Sequence, residues 1–191
     1  MEADWAAEIG SDLPVIEADW PGFIDLRSNP DAVRQISEAA HNAALRQVLL
    51  QLNAPPSPLR TTKCDVWTLA AEEIDPLEFD CVPDAERLGI ASYIDVIALD
   101  PALFASFERH ESWVQSAAKA LRSAHPTPGR VDLVVRAAHA ADRNGFGITL
   151  YVAGCGPDAA SAQASWANAL ELATAVTMRT ATESRASSSI G

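Results

Sequence analysis

RVDLVVR at residues 130–136 and ITLYV at residues 148–152 are the two runs that decide the fold of this chain. In both runs apolar residues alternate with polar or mixed ones, and this period of two predicts a β-strand with one buried face. The link between them contains Asn144 and Gly145, which favour a tight turn because both residue types tolerate positive φ. The two runs are therefore predicted to form an antiparallel hairpin.

The second strand is followed by GCGPD at residues 154–158 and by an alanine-rich run that reaches about Met178. Pro157 suits the first turn of a helix, and Asp158 places a carboxylate near the positive end of the helix dipole. The sequence thus predicts a glycine turn at Gly154–Gly156 and then a long helix.

Four more elements are predicted upstream: a helix over 30–52, strands over 61–69 and 92–99, and a helix over 101–124. Together they indicate an α+β fold with a four-stranded antiparallel sheet, helices packed on one face and an additional N-terminal helix. The order of elements is typical of a ferredoxin-like plait. It would be circularly permuted if the strand at 61–69 takes the edge that a C-terminal strand usually fills.

The chain divides into an N-terminal arm over 1–28, a single α+β domain over 29–178, and a polar tail over 179–191. The tail reads RTATESRASSSIG, and we expect it to be disordered because this composition has little to bury.

The composition is that of a soluble acidic protein, with 48% apolar residues and a formal net charge of −12. This charge argues against nucleic-acid and anionic-membrane partners, which require clustered Lys and Arg. The chain lacks an apolar stretch of about 20 residues and a basic, apolar leader. Three scattered cysteines, Cys64, Cys81 and Cys155, favour reduced thiols in the cytoplasm over a disulfide framework.

Cys155 and His110 are the two candidate catalytic residues. A thiol in a glycine turn that opens a helix can be reactive, and the free N–H groups there could hold an anion. The turn matches neither a dinucleotide-binding nor a P-loop motif, so a small buried structural thiol is the competing interpretation. His110 lies on the apolar stripe of its helix, where it would act as a base or as a hydrogen-bonded core residue.

We expect neither a metal nor a cofactor. No two cysteines are two to four residues apart, and no second histidine stands at a metal-binding spacing from His110.

The candidate binding surface is the sheet face that the helices leave open. Strand alternation predicts that Trp67, Asp95, Arg136 and Tyr151 point to this face. A solvated face with cross-strand pairs is the alternative, but aromatic residues are costly to leave in water. Either a second subunit or the N-terminal segment around Trp20 would cover it.

The sequence therefore favours a non-catalytic cytoplasmic binding or assembly module that uses its open sheet face as a homodimer, with its small-molecule or protein ligand unspecified. A small enzyme using Cys155 or His110, with an anion site at Gly154–Gly156, is the alternative. It requires these residues to share one cleft.

Overall fold

The computed structural model describes residues 1–18, 20–79, 87–124 and 128–186. Within these residues one sheet contains six strands: β1 (Glu2–Glu8), β2 (Ile16–Glu17), β3 (Leu59–Leu69), β4 (Leu88–Ala98), β5 (Gly129–Ala140) and β6 (Arg143–Gly156). The strand order is β1-β5-β6-β4-β3, and the short β2 also pairs with β5. β1 and β2 run parallel to β5, whereas the other neighbours are antiparallel.

The helices in the described residues are α1 (Ser37–His41), α2 (Ala43–Asn53), α3 (Pro101–Phe104), α4 (Phe107–Arg122) and α5 (Ala159–Ala186). The three longest, α2, α4 and α5, cover one face of the sheet. On that face Ile94, Leu133 and Leu150 are fully buried against them. The prediction of an α+β fold with helices on one side is confirmed.

Two buried tryptophans attach α5 to the sheet and α4 to α5. Trp166 of α5 donates its Nε1–H to Ser92 Oγ of β4 at 2.9 Å. Trp113 of α4 donates to the Thr177 carbonyl of α5 at 3.0 Å. Each indole therefore buries a large ring without leaving its polar group unpaired, which removes the usual cost of placing tryptophan in a core.

The central hairpin of β5 and β6 is confirmed, but the turn lies earlier than predicted. Asn144 and Gly145 are inside β6, paired with His139 and Ala138. The reversal occurs at Ala141 and Asp142, whose φ values are 48° and 60°. Two successive residues with positive φ form the primed type of turn that matches the twist of a hairpin.

The predicted four-stranded, purely antiparallel sheet is wrong, because the N-terminal residues add parallel strands beside β5. Ala3 and Trp5 of β1 lie next to Val131 and Leu133 and share their buried face. Residues 1–28 are thus not a separate arm, since β1 and β2 belong to the sheet. The alternation in EADWAAE is present in the sequence, but its small and acidic residues make it a weak strand signal.

The predicted helix over 30–52 is interrupted twice. A 3-10 turn over Pro30–Gln35 ends at the extended residue Ile36, and α1 ends at the extended residue Asn42. Side chains bind the carbonyls that the second break exposes. Asn42 donates to the Glu38 carbonyl at 3.1 Å, and Arg46 donates to the Ala39 carbonyl at 3.2 Å. These contacts replace the lost helical hydrogen bonds.

The predicted boundary of the C-terminal tail at residue 179 is also wrong. Helix α5 continues to Ala186, and Ala181 is fully buried in the main core. Thr180 donates its hydroxyl to the Val176 carbonyl at 2.9 Å, so a polar residue is accommodated inside the helix. Residues 187–191 lie outside the described part of the chain.

We predict that Leu133→Ala and Leu150→Ala each lower the free energy of unfolding by about 2–5 kcal/mol, because each leaves a cavity in a packed core. Val134→Ala is expected to cost less, since Val134 faces the opposite side of the sheet and the substitution removes less buried apolar surface, because a valine side chain is smaller than a leucine side chain. Urea unfolding of the three variants tests this order. A larger loss for Val134→Ala would contradict the assignment of the main core.

Candidate functional site

The four residues predicted to bind, Trp67, Asp95, Arg136 and Tyr151, lie on the sheet face opposite the long helices. They come from β3, β4, β5 and β6; Arg136 lies against Tyr151, whereas Trp67 reaches Tyr151 through Tyr93. Trp67 retains 39% of its surface in contact with solvent. The strand alternation in the sequence therefore placed these side chains on a common face.

A row of polar side chains crosses this face with one member from each of five strands. Arg136 binds Glu8 at 2.6 Å on one side and donates to Thr149 Oγ1 at 3.1 Å on the other. Thr149 donates its hydroxyl to Asp95 Oδ1 at 2.5 Å. Lys63 is the register partner of Asp95 on β3. We call these five residues the charged row; its order of charges is minus, plus, neutral, minus, plus.

Asp95 is the most unusual group in the charged row, because it is a buried carboxylate. Burial raises the pKa of Asp95, and this effect exceeds the opposing effects of the Thr149 hydrogen bond and of the charges on Arg136 and Lys63. The carboxylate still accepts the Thr149 hydroxyl, and Thr149 in turn accepts from Arg136. Glu8, Arg136, Thr149 and Asp95 thus form a connected network that holds each of these side chains in one orientation, and Lys63 lies at its end as the register partner of Asp95.

Three aromatic rings run beside the charged row. The ring centroids of Trp67 and Tyr93 are 6.5 Å apart, and those of Tyr93 and Tyr151 are 6.1 Å apart. The Arg136 guanidinium lies 5.6 Å from the centre of the Tyr151 ring, so the two rows touch. Asp65 and Asp132 flank the tyrosines in register. We call the three aromatic residues and these two aspartates the aromatic row, and the aromatic row and the charged row together the central band.

Residues 71–79 cover one end of the same face. Ile74 and Phe79 pack there with Cys155 in a small second core. A Cβ on Gly89 would lie 3.0 Å from Ile74 Cδ1, which shows how closely this segment approaches the sheet.

Ile16 and Phe104 cover the other end. They pack with Ile97 and Ala138 in a third core, and a Cβ on Gly145 would overlap the Phe104 ring. The central band is therefore a strip between two covered ends and not a fully open face.

Cys155 does not occupy a glycine turn, and this part of the prediction is wrong. Strand β6 continues through Gly156, and Cys155 is buried under Ile74 and Phe79. Gly154 and Gly156 serve packing, because α5 lies directly on them. A Cβ on Gly154 would meet the Trp166 amide nitrogen, and one on Gly156 would lie 2.6 Å from the Ala162 nitrogen. The glycines are needed for this close approach and do not form an anion cradle.

His110 is fully buried in α4 between the rings of Trp113 and Phe146, with centroids 5.5 and 6.0 Å away. Its Nδ1–H donates to the Ser106 carbonyl at 2.9 Å. Burial lowers the pKa of His110, so the ring is neutral near pH 7. Phe146 and Cys155 are nine residues apart on β6, or about 30 Å at about 3.3 Å per residue. His110 and Cys155 consequently do not share a cleft.

Among the described residues no group of three or more His, Cys, Asp or Glu side chains could hold a metal ion, and no helix is long and apolar enough to cross a membrane. Cys64 lines a cavity beside β3, where burial, followed by the charges of Glu38, Asp65 and Asp95, raises the pKa of its thiol to about 12. Cys81 lies outside the described residues.

Sequence reasoning missed Glu8, Lys63 and Tyr93 as members of this surface. Tyr93 is two residues before Asp95 in the predicted strand and therefore lies on the same face, so its position could be predicted from the sequence. Lys63 required knowledge of the bulge between Thr61 and Lys63, which shifts the register. Glu8 could not be found, because its strand was not predicted.

Comparison of the chain with protein-family models, with curated proteins and with solved structures finds no significant match. The case for a function therefore depends on the geometry of the central band.

We predict that Gly154→Ala destabilises the protein by about 1–3 kcal/mol or more, because the added methyl group collides with the backbone of α5. Gly10→Ala is the control, since its Cβ would meet only the Leu13 side chain, at 3.5 Å. Thermal unfolding of both variants measures the difference. Equal melting temperatures would contradict the packing role of Gly154.

We predict that Asp95→Asn becomes relatively more stabilising as pH rises. The pKa of Asp95 is raised above 3.8, which means that the fold penalises the charged form of this carboxyl. The free energy of unfolding of the wild-type protein therefore falls as pH rises from below 3.8 through the pKa of the folded state. The amide cannot ionise, and its oxygen still accepts from Thr149. Urea midpoints at acidic and neutral pH test this, with exposed Asp12→Asn as the control for lost charge. A difference that is constant or shrinks with rising pH would contradict it.

Proposed function

We propose that this protein is a non-catalytic binding module that holds a partner protein on its central band. The observation that carries the proposal is the aromatic row beside a charged row in which Glu8, Arg136, Thr149 and Asp95 are joined by hydrogen bonds. Tryptophan, tyrosine and arginine are the residue types that most often dominate the energy of protein interfaces. Trp67 is partly exposed, and Tyr93 and Tyr151 are half-buried. The hydrogen-bonded neighbours hold the surface in one arrangement, which reduces the entropic cost of binding.

The covered ends favour a narrow occupant. On β6 the outward positions between the two covered ends are Thr149 and Tyr151, because Gly147 lies under Ile16 and Ala153 packs against the second core. The bounding positions Gly147 and Ala153 are about 20 Å apart along the strand. Across the sheet five strands extend for about 19 Å at about 4.8 Å per step. A helix is about 10–12 Å wide, so a helix or an extended segment that crosses the strands fits this strip.

The charges favour a cationic segment. The central band has four carboxylates and two cations, a formal net charge of −2, and the whole chain carries −12: the carboxylates are those of Glu8, Asp65, Asp95 and Asp132, and the cations are Lys63 and Arg136. Asp65 is exposed at the margin of the aromatic row. Asp132 is bound by Arg130 and Glu8 by Arg136, so the exposed Asp65 is the carboxylate that an Arg or Lys of a partner segment would pair with, beside rings to stack on.

A homodimer through the same face is the second candidate. The charge order of the charged row is reversed in sign when read from the other end. A two-fold axis parallel to the strands would place Glu8 over Lys63 and Arg136 over Asp95 of the partner. The covered ends of two copies would meet first, however, and would keep the two bands apart. The narrow occupant is therefore favoured.

We further propose that the four antiparallel strands and the helices after β4 and β6 form a circularly permuted ferredoxin-like plait, and that the protein works in the cytoplasm. The strand order β5-β6-β4-β3 supports the first part. Reduced thiols at Cys64 and Cys155 are consistent with the second. An enzyme built on Cys155 or His110 is less supported, because the two residues are buried far apart.

The proposal predicts that a labelled peptide of alternating Arg and Ala binds the wild-type protein, whereas the Glu and Ala peptide of equal length does not. Trp67→Ala should weaken binding by roughly 30-fold, since the loss of an aromatic hot spot costs about 2 kcal/mol. Fluorescence anisotropy measures both affinities. Leu99→Ala is the matched control, because Leu99 is 40% exposed and lies outside the central band.

Asp65→Lys, as a separate variant, should also weaken binding of the Arg and Ala peptide. Asp31→Lys changes the net charge equally on an exposed 3-10 turn and should have a much smaller effect. Equal affinity for the two peptides, or equal effects of the paired variants, would contradict the proposal. Sedimentation at micromolar concentration separates the second candidate. A dimer that dissociates in Trp67→Ala would replace the peptide segment by a second copy.

A further inference from the structure

A cavity of about 410 Å³ lies at the edge of the sheet, between β3, the start of α1 and residues 20–24. Its volume falls within the range of about 300–1,000 Å³ that small-molecule sites occupy. It is separate from the covered ends of the sheet and from His110 and Cys155. We call it the edge cavity.

The outer wall of the edge cavity is held in place by specific contacts. Trp20 donates its Nε1–H to the Thr62 carbonyl at 3.4 Å, and Lys63 Nζ lies 5.7 Å from the centre of the Trp20 ring. The Arg60 guanidinium lies 5.2 Å from the centre of the Phe23 ring. Residues 20–24 are therefore attached to β3 at several points, and these contacts fix the position of the outer wall.

The break before α1 helps to form the inner wall. Ile36 is extended where a continuous helix would have turned, and it lines the cavity together with Leu49 of α2, while Ile24 lines it from the outer wall. These three side chains form an apolar patch in a lining that also contains the polar side chains of Gln35, Ser37 and Glu38. A ligand would gain from burying apolar surface against them.

One polar group of β3 that lines the cavity has no hydrogen-bond partner among the described residues. The Thr62 side chain is buried, and its Oγ1 makes no hydrogen bond in the described part of the chain. A buried hydroxyl without a partner is costly, so a ligand that offers a donor or an acceptor would be held at this point. The bulge at Thr61/Lys63 is the local feature that puts Thr62 out of the ladder.

The electrostatic environment of the edge cavity disfavours anions. The charges of Glu38, Asp65 and Asp95 add to burial in raising the pKa of the Cys64 thiol to about 12. The thiol is thus neutral at pH 7 and serves as part of the wall, not as a nucleophile. Two cations lie near the cavity: Lys63 lies over Trp20 and beside Asp95, and Arg60 lies over Phe23.

We propose that the edge cavity is a binding site for a neutral, ring-bearing small molecule whose apolar part packs on Ile24, Ile36 and Leu49 and whose hydrogen-bonding group reaches Thr62. The apolar patch accommodates the ring, the unpaired Thr62 hydroxyl binds the polar group, and the Glu38 carboxylate in the lining disfavours an anion. This site does not depend on the proposed partner at the central band. Lys63 and Tyr93 line both, so the two sites adjoin.

The test uses two fluorescent probes with the same rings. N-phenylnaphthylamine is neutral and has one N–H donor, whereas anilinonaphthalenesulfonate carries an added negative charge. We expect the neutral probe to bind one-to-one and saturably, and the sulfonate to bind at least roughly tenfold more weakly because of the nearby carboxylates. Failure of the neutral probe to saturate, or equal affinity for the two probes, would overturn the proposal.

Three variants locate the site. Ile36→Trp should fill the cavity and lower the affinity for the neutral probe by at least roughly tenfold. Thr62→Val should lower it by roughly three- to tenfold, the value of one hydrogen bond, and should raise the melting temperature of the unliganded protein. Ile9→Trp, at a position 45% exposed and outside the cavity, is the control and should bind like wild type.

Circular dichroism and the melting temperature check that each variant is folded. If Ile36→Trp does not fold, Ile24→Trp fills the same cavity from the other wall. Wild-type affinity in a folded filling variant would overturn the assignment, because the probe would then bind elsewhere. Equal losses in the filling variant and in Ile9→Trp would also overturn it. Peptide binding at the central band is measured separately, so the two proposals fail independently.

Discussion

The register of β6 against its two neighbours is the constraint on which the rest of the structure depends. β6 pairs antiparallel with β5 on one side and with β4 on the other. This register places Leu150 between Leu133 and Ile94 on the helix side and Thr149 beside Asp95 on the opposite side. A slip of one residue would exchange the two faces, so the core and the central band are determined together.

The same strand also explains how α5 reaches the sheet. Gly154 and Gly156 leave no side chain between β6 and the helix, and Trp166 can enter the core and bind Ser92. Glycine inside a strand weakens its intrinsic preference for that conformation, which the packing of a 28-residue helix offsets. The region that looked like a catalytic turn in the sequence is a packing contact.

The charged row costs free energy of folding, because its central groups are taken out of water, and a face that is simply solvated does not need such a row. Buried charges must be paired and hydrogen-bonded, and the connected contacts from Glu8 to Asp95 across four strands specify one arrangement of side chains. Such fixed polar surroundings suit recognition, because the aromatic rings beside them do not have to be ordered on binding. The two candidate catalytic residues lack this organisation, since each is buried in a separate part of the core.

Periodicity alone determined the central hairpin, the strands at β3 and β4, the long final helix and the sidedness of Trp67, Asp95, Arg136 and Tyr151. These features depend on local alternation, which a sequence records directly. The parallel strand β1, the breaks in the first helix, the covered ends of the open face and the edge cavity arise from contacts between distant segments. Glu8 meets Arg136 across 128 positions of the chain, and no local pattern encodes such a pair. Only the tertiary structure decided which residues share a surface, because burial and pairing energies act between segments that the sequence keeps apart.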